Sequence, residues 1–207
     1  MIRCAVFDFD GTLVMSNDIK REGFFAVTAE IAGGRAAMEA LLADPPGDRY
    51  AIFAAFAARF GLDAGELAEA YGAWCEAAIL AAPERPGASA LLARLRQGGV
   101  RIWINSATPE APLRSIVRRR YPQGTFDGVL GGHAAKVPNL RAVLRAEGLT
   151  AAELLMVGDG FDDRDAAAEI GCAFAGLDRG TLAARPDCGA LVADLRELET
   201  LFDEVPA

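Results

Sequence analysis

Four short stretches of the chain carry residue types that can do chemistry. The first is Asp8-Phe9-Asp10-Gly11-Thr12-Leu13, directly after an apolar run. Side chains two apart on an extended chain point the same way. Neighbouring carboxylates repel unless a cation or a shared proton lies between them. Asp8 and Asp10 therefore ask for a hard divalent ion with oxygen ligands, for which Mg2+ is the natural choice. A turn or a helix cap would account for either aspartate alone.

The second stretch is Gly158-Asp159-Gly160-Phe161-Asp162-Asp163, again behind an apolar run. Capping at the positive end of a helix explains one such acid. It does not explain Asp159, Asp162, Asp163 and Asp165 together. The third is Ser106, in Asn105-Ser106-Ala107-Thr108-Pro109. A hydroxyl beside free backbone N–H groups suits an anion, although Thr108 before a proline also reads as an ordinary cap. The fourth is Lys136. It is one of only two lysines, with Lys20, among 21 basic residues, and it stands just before Pro138 and a helical pattern. Alone it would read as a surface lysine.

The elements that must position these groups alternate. Apolar runs at Cys4–Phe7, Val100–Ile104 and Leu154–Val157, with weaker ones at Val129–Leu130 and Cys172–Ala175, read as strands of a sheet covered on both faces. Helical patterns lie between them: Leu91, Leu92 and Leu95 share one face, and Leu140, Val143 and Leu144 share another. The expected fold class is α/β, a Rossmann-like three-layer sandwich with a central parallel sheet. Ligands bind beyond the carboxyl ends of such strands, where all four stretches fall. From Ser16 to Arg85 the alternation gives way to helical spacing: Phe24, Val27, Ile31; then Tyr50, Phe53, Phe56, Phe60; then Leu67, Tyr71, Trp74, Ala78. Breaks are expected at Gly33–Gly34, Pro45–Pro46–Gly47 and Gly61. The expected domains are an α/β core of residues 1–15 and 86–207 and an all-helical insert of residues 16–85, with the aromatic stripes as its core.

The 207 residues are 52% hydrophobic and 24% charged, ordinary for a globular protein. A net charge of −8 argues against a general nucleic-acid-binding surface. No apolar run is long enough to span a membrane, and no cleaved leader is expected at MIRCAVFDFD. Four scattered cysteines form no CxxC pair, which suits a reducing compartment, so a cytoplasmic location is expected. A single histidine, His133, leaves little room for a Ser–His–Asp triad. The first strand runs into DFDGTL rather than GxGxxG, against dinucleotide binding.

Taken in order, DxD, Ser, Lys and GDxxxD resemble the motif set of the haloacid dehalogenase-like superfamily. The insertion point of the helical stretch resembles its subfamily I, with a helical C1 cap, and the nearest branch is phosphoglycolate phosphatase-like. The resemblance implies a Mg2+-dependent phosphatase acting on a small phosphorylated metabolite through an aspartyl-phosphate. Asp8 would be the nucleophile and Asp10 the general acid–base. Ser106 and Lys136 would hold the phosphoryl group. Asp159 would bind Mg2+ beside the Asp8 carboxylate and the Asp10 backbone carbonyl, with Asp163 as the second acid of the last motif and Asp162 as its competitor. Met15 and Gly160 depart from many relatives, which carry an acid and a small hydroxyl residue there.

On the insert, Asn17, Lys20, Arg21, Arg49 and Tyr50 are candidate substrate contacts, and His133 is a candidate for the entrance. The alternatives are a phosphomutase using the same aspartyl-phosphate, or a receiver-like phospho-acceptor domain, which has no helical insert. No histidine lies in Val14–Phe25, where mutase-like members often carry one. Asp10 argues against the metal-free dehalogenases, and the absence of DKTGT against transport ATPases. No nucleic-acid or membrane partner is expected, and the chain would be a monomer or a homodimer.

Overall fold

The computed structural model describes residues 1–132, 136–177, 182–184 and 189–201. Contacts divide the chain into two compact units, Met1–Met15 with the chain from Pro83 onward, and Ser16–Ala82.

Among the described residues, the first unit holds six strands: β1 (Cys4–Phe7), β2 (Arg101–Ser106), β3 (Gly128–Gly131), β4 (Leu154–Gly158), β5 (Ala173–Leu177) and β6 (Ala190–Val192). Every pairing is parallel, in the order β3-β2-β1-β4-β5-β6. This is a doubly wound order, and it reverses between β1 and β4, where such sheets place their ligands. All four residues of β1 are buried, as a strand covered on both faces requires. Cys4 and Val6 join Leu140, Val143, Leu154 and Met156 in one apolar cluster. Ala5 and Phe7 are also fully buried.

The unit's helices follow the apolar periodicity. They are the fifth to ninth of the chain: α5 (Ala88–Gln97), α6 (Glu110–Arg120), α7 (Lys136–Glu147), α8 (Phe161–Ile170) and α9 (Leu195–Leu201). Leu91, Leu92 and Leu95 form the buried face of α5. β6 was not expected from the sequence. It is three residues long, and two of them are exposed, so it leaves no apolar run to read.

The second unit holds α1 (Asn17–Ala26), α2 (Gly34–Ala43), α3 (Arg49–Phe60) and α4 (Ala64–Ala81). Phe24 packs on Phe53 and Tyr71 at centroid distances of 5.1 and 4.6 Å. Two expectations need correcting. Val27 and Ile31 do not extend the first helix, because Thr28 turns its hydroxyl back to the Phe24 carbonyl at 2.7 Å and α1 ends at Ala26. In α4 the buried line is Tyr71, Cys75 and Ile79, not Leu67, Trp74 and Ala78. Gly23 explains the shift: a Cβ there would lie about 3.0 Å from both Tyr71 and Trp74, so α1 sits directly against this side of α4.

Entry and exit of the insert lie side by side. Met15 N–H donates to the Pro83 carbonyl at 2.9 Å, and Arg85 N–H to the Leu13 carbonyl at 2.9 Å. These bonds return the chain to the first unit at Pro83 rather than at Pro86.

Candidate functional site

Asp8 is the first residue beyond β1. Its N–H still donates to the Val157 carbonyl of β4 at 2.8 Å, which brings its side chain to the carboxyl end of the sheet at the point of reversal. Lys136, the first residue of α7, is 7% exposed. Its Nζ lies 2.8 Å from Asp8 Oδ1 and 2.6 Å from Asp163 Oδ1, and donates to the Asn105 carbonyl at 2.8 Å. The ammonium donates to Asp8 and to the Asn105 carbonyl, and its contact with Asp163 is a close ion pair. Burial alone would lower the Lys136 pKa, but Asp8 and Asp163 outweigh it and hold the group charged.

Each carboxylate has its own support. Asp163 is 1% exposed and accepts from Gly160 N–H at 3.2 Å. Gly158 makes room for it, since a Cβ there would meet the Asp163 carboxyl at 2.3 Å. Asp162 is exposed, so it is Asp163 that meets Lys136. Asp159 accepts from Thr12 Oγ1 at 3.1 Å. Burial, then Asp10 and Asp159, push the Asp8 carboxyl up to about 6 against the pull of Lys136. Burial and Asp8 likewise raise Asp163 well above its usual range.

Those shifts mark a surplus of negative charge. Asp8, Asp159 and Asp163 each present one carboxylate oxygen, all within 4.8 Å of one another, against the single ammonium of Lys136. Mg2+ takes hard oxygen donors of this kind, and a divalent charge would offset the surplus. The donor set fits Mg2+. The Asp10 carboxylate lies outside this set and accepts instead from Thr108 Oγ1 at 2.7 Å. Of Asp10, only the backbone carbonyl assigned by the resemblance remains a candidate ligand.

Ser106 ends β2, is 1% exposed, and accepts from Thr108 N–H at 3.2 Å. Its own hydroxyl proton is thereby left for another acceptor. Thr108 thus joins Ser106 to Asp10. It is not the helix cap that the sequence suggested, because Pro109 holds the position before α6. Sequence reasoning also passed over three other residues. Thr12 holds Asp159. Asn105 clamps Lys136 through both backbone and side chain, with Asn139 behind it. Arg85 donates to the Gly11 carbonyl in the turn after Asp10. The buried polar character of these residues is visible only once the fold is known.

The remaining candidates sit in the helical unit. Arg49 donates to Tyr50 Oη at 2.8 Å and lies over the rings of Tyr50 and Tyr71 at 4.7 and 5.9 Å. Tyr71 in turn donates to the Lys20 carbonyl at 3.2 Å. Arg49 and the Lys20 backbone therefore meet at Tyr71, and Tyr50 is held to Arg49. Arg21 lies over Phe25, and Asn17 opens α1. His133 lies outside the described residues.

A doubly wound parallel sheet carries carboxylates, a hydroxyl and a buried ammonium at its strand ends, which defines an α/β protein with a site for an anion and a cation. The family model of haloacid dehalogenase-like hydrolases matches residues 2–171. The chain is 30% identical over 174 residues to phosphoglycolate phosphatase of Rhodospirillum rubrum, covering 77% of this chain and 72% of that protein. This protein belongs to the haloacid dehalogenase-like hydrolase family. Its fold matches CbbY from Rhodobacter sphaeroides, solved with phosphate, at a TM-score of 0.75 and 21% identity over 96% of each chain. It also matches the "predicted phosphoglycolate phosphatase" of Haemophilus somnus at a TM-score of 0.76 and 18% identity, over 97% of this chain and 98% of that one.

Proposed function

We propose that this protein is a Mg2+-dependent phosphatase that hydrolyses a small phosphomonoester through an aspartyl-phosphate. One observation carries the reading: the buried Lys136 ammonium bridges Asp8 at 2.8 Å and Asp163 at 2.6 Å. A carboxylate nucleophile needs an adjacent cation to accept a phosphate dianion. In the first step Asp8 attacks phosphorus in line, while Asp10 gives a proton to the leaving oxygen. In the second, Asp10 takes a proton from the water that attacks phosphorus and frees Asp8. Lys136 and the Ser106 hydroxyl hold phosphoryl oxygens through both steps. Asp8, Asp159, Asp163 and the Asp10 backbone carbonyl are the groups for Mg2+, which when bound supplies charge neutralisation at the phosphoryl group.

The Ser16–Ala82 unit is proposed as the cap that selects the leaving group, with Asn17, Lys20, Arg49 and Tyr50 as its substrate contacts. The cationic pair Lys20 and Arg49 suits a substrate with a second anionic group. A phosphorylated small metabolite of the cytoplasm fits this reading, and the Rhodospirillum rubrum relative makes phosphoglycolate the first to test.

The test is hydrolysis of p-nitrophenyl phosphate and phosphoglycolate, with and without Mg2+, by wild type and Asp8→Asn. Metal-dependent turnover is expected, with a loss of at least about 10^3-fold in Asp8→Asn, as for removal of a covalent nucleophile. Turnover that survives both chelation and Asp8→Asn would overturn the mechanism. A strict need for a bisphosphate activator would turn the reading to a phosphomutase.

A further inference from the structure

We infer that Thr108 is the positioning residue for Asp10, fixing which of its carboxyl oxygens moves the proton. This rests on the phosphatase reading above and deepens it. Thr108 Oγ1 donates to Asp10 Oδ2 at 2.7 Å, and the two residues are 8% and 7% exposed. In this setting the bond meets little competition from solvent.

The hydroxyl is aimed by a backbone that has little freedom. Thr108 N–H donates to Ser106 Oγ at 3.2 Å. The Gly132 N–H donates to both the Thr108 and the Ser106 carbonyls at 3.0 Å. Gly131 lets the loop lie flat on the end of β3, since a Cβ there would meet the Thr108 carbonyl oxygen at 2.5 Å and the Glu110 Cα at 2.8 Å. One loop therefore presents two hydroxyls with separate tasks. Ser106 faces the phosphoryl group, and Thr108 faces the acid–base.

The chemistry explains why this matters. In the first step an O–P bond forms from Asp8, the bond from phosphorus to the leaving oxygen breaks, and one proton passes from Asp10 to that oxygen. In the second step water attacks phosphorus, gives one proton back to Asp10, and the O–P bond to Asp8 breaks. A carboxyl group free to rotate about its last torsion would offer the wrong oxygen part of the time. With Oδ2 accepting from Thr108, the last torsion of Asp10 is fixed, and the same oxygen carries the travelling proton in both steps. Effective proton transfer depends on such placement.

The experiment compares kcat and KM of wild type, Thr108→Val, Thr108→Ala and Thr108→Ser on two substrates. One is p-nitrophenyl phosphate, whose leaving oxygen departs without a proton. The other is phosphoglycolate (or glycerol phosphate, if the cap rejects it), whose alkoxide leaving group requires one. General acid catalysis is worth about 10^2–10^4-fold. Partial loss of its alignment is therefore expected to lower kcat/KM, which reports the step that expels the leaving group and not the later hydrolysis common to both substrates, at least ~10-fold on the alkyl phosphate in Thr108→Val and Thr108→Ala, and less than ~3-fold on p-nitrophenyl phosphate. Thr108→Ser should restore the ratio of kcat/KM between the two substrates, and it is in kcat/KM that the losses are compared. Turnover of p-nitrophenyl phosphate by the same variants reports that the site is folded. Equal losses on both substrates, or an unchanged ratio in both hydroxyl-free variants, would overturn the inference. Activity that survives Asp8→Asn would instead overturn the phosphatase reading beneath it.

Discussion

The strand-end cluster and the interior of the helical unit are both buried, and they are held by opposite means. At the strand ends, Lys136 is held to Asp8, Asp163 and the Asn105 carbonyl, and Thr108 to Asp10, by ion pairs and hydrogen bonds between named atoms. In the helical unit, Phe24, Phe53 and Tyr71 meet as tilted or edge-on rings. A ring loses contact area in proportion to what is cut away. A buried charge that loses its partner is left with its full desolvation cost. The first region is specified by pairing and the second by volume.

The strongest way to break this comparison is Lys136→Met. It keeps the length of the side chain and leaves Asp8 and Asp163 uncompensated. Turnover should be abolished and stability should fall by about 3–5 kcal/mol, read by urea denaturation in chelator. A loss under ~1 kcal/mol would mean that the carboxyls simply take up protons, and that pairing is not what specifies the region. Phe53→Ala comes next. Phe53 is fully buried, and the change should cost about 3–5 kcal/mol. If the helical unit is specified by volume, Phe53→Leu should recover most of that loss, while Lys136→Arg should not restore turnover. The smallest expected effect concerns the thiols. Burial pushes Cys4 up to about 12 and Cys172 up to about 11. The thiolate is the reactive form, so alkylation of the native protein at pH 8 should be slow at both and rise only as pH climbs toward those values. Fast labelling of Cys4 at pH 8, located by peptide mapping, would show that the sheet's interior opens more readily than its packing implies.

Residue type and spacing carried a definite part of the structure. Strand-length apolar runs, each ended by an acid, a serine or a glycine, mark β1, β2 and β4, and the residues behind those runs stand at the strand ends. What escaped reading has a common cause. Thr108, Thr12 and Arg85 act on residues 98, 147 and 74 positions away, and nothing in their local neighbourhood announces it. Thr108 before Pro109 looked like a cap because caps are local and its real partner is not. β6 escaped because a short edge strand needs no apolar run. The end of α1 escaped because the aromatic and aliphatic spacing continues past Ala26, while a single hydroxyl, that of Thr28, takes up the Phe24 carbonyl.

The paired bonds from Met15 to Pro83 and from Arg85 to Leu13 have a consequence for how the chain assembles. Before β1 can register with β2, everything between them must be looped out. Loop-closure cost grows only slowly, by about 0.6 kcal/mol for each doubling of length. The loop also has its own aromatic interior, so it can compact before its ends meet and act as a much shorter tether. The junction is then closed like a clasp, by a few backbone bonds between two short segments of chain. A tight turn joining Met15 to Pro83 could replace the whole inserted stretch without rerouting the sheet. Evolution has the same option: one core can exchange its insert through a joint only two chain segments wide.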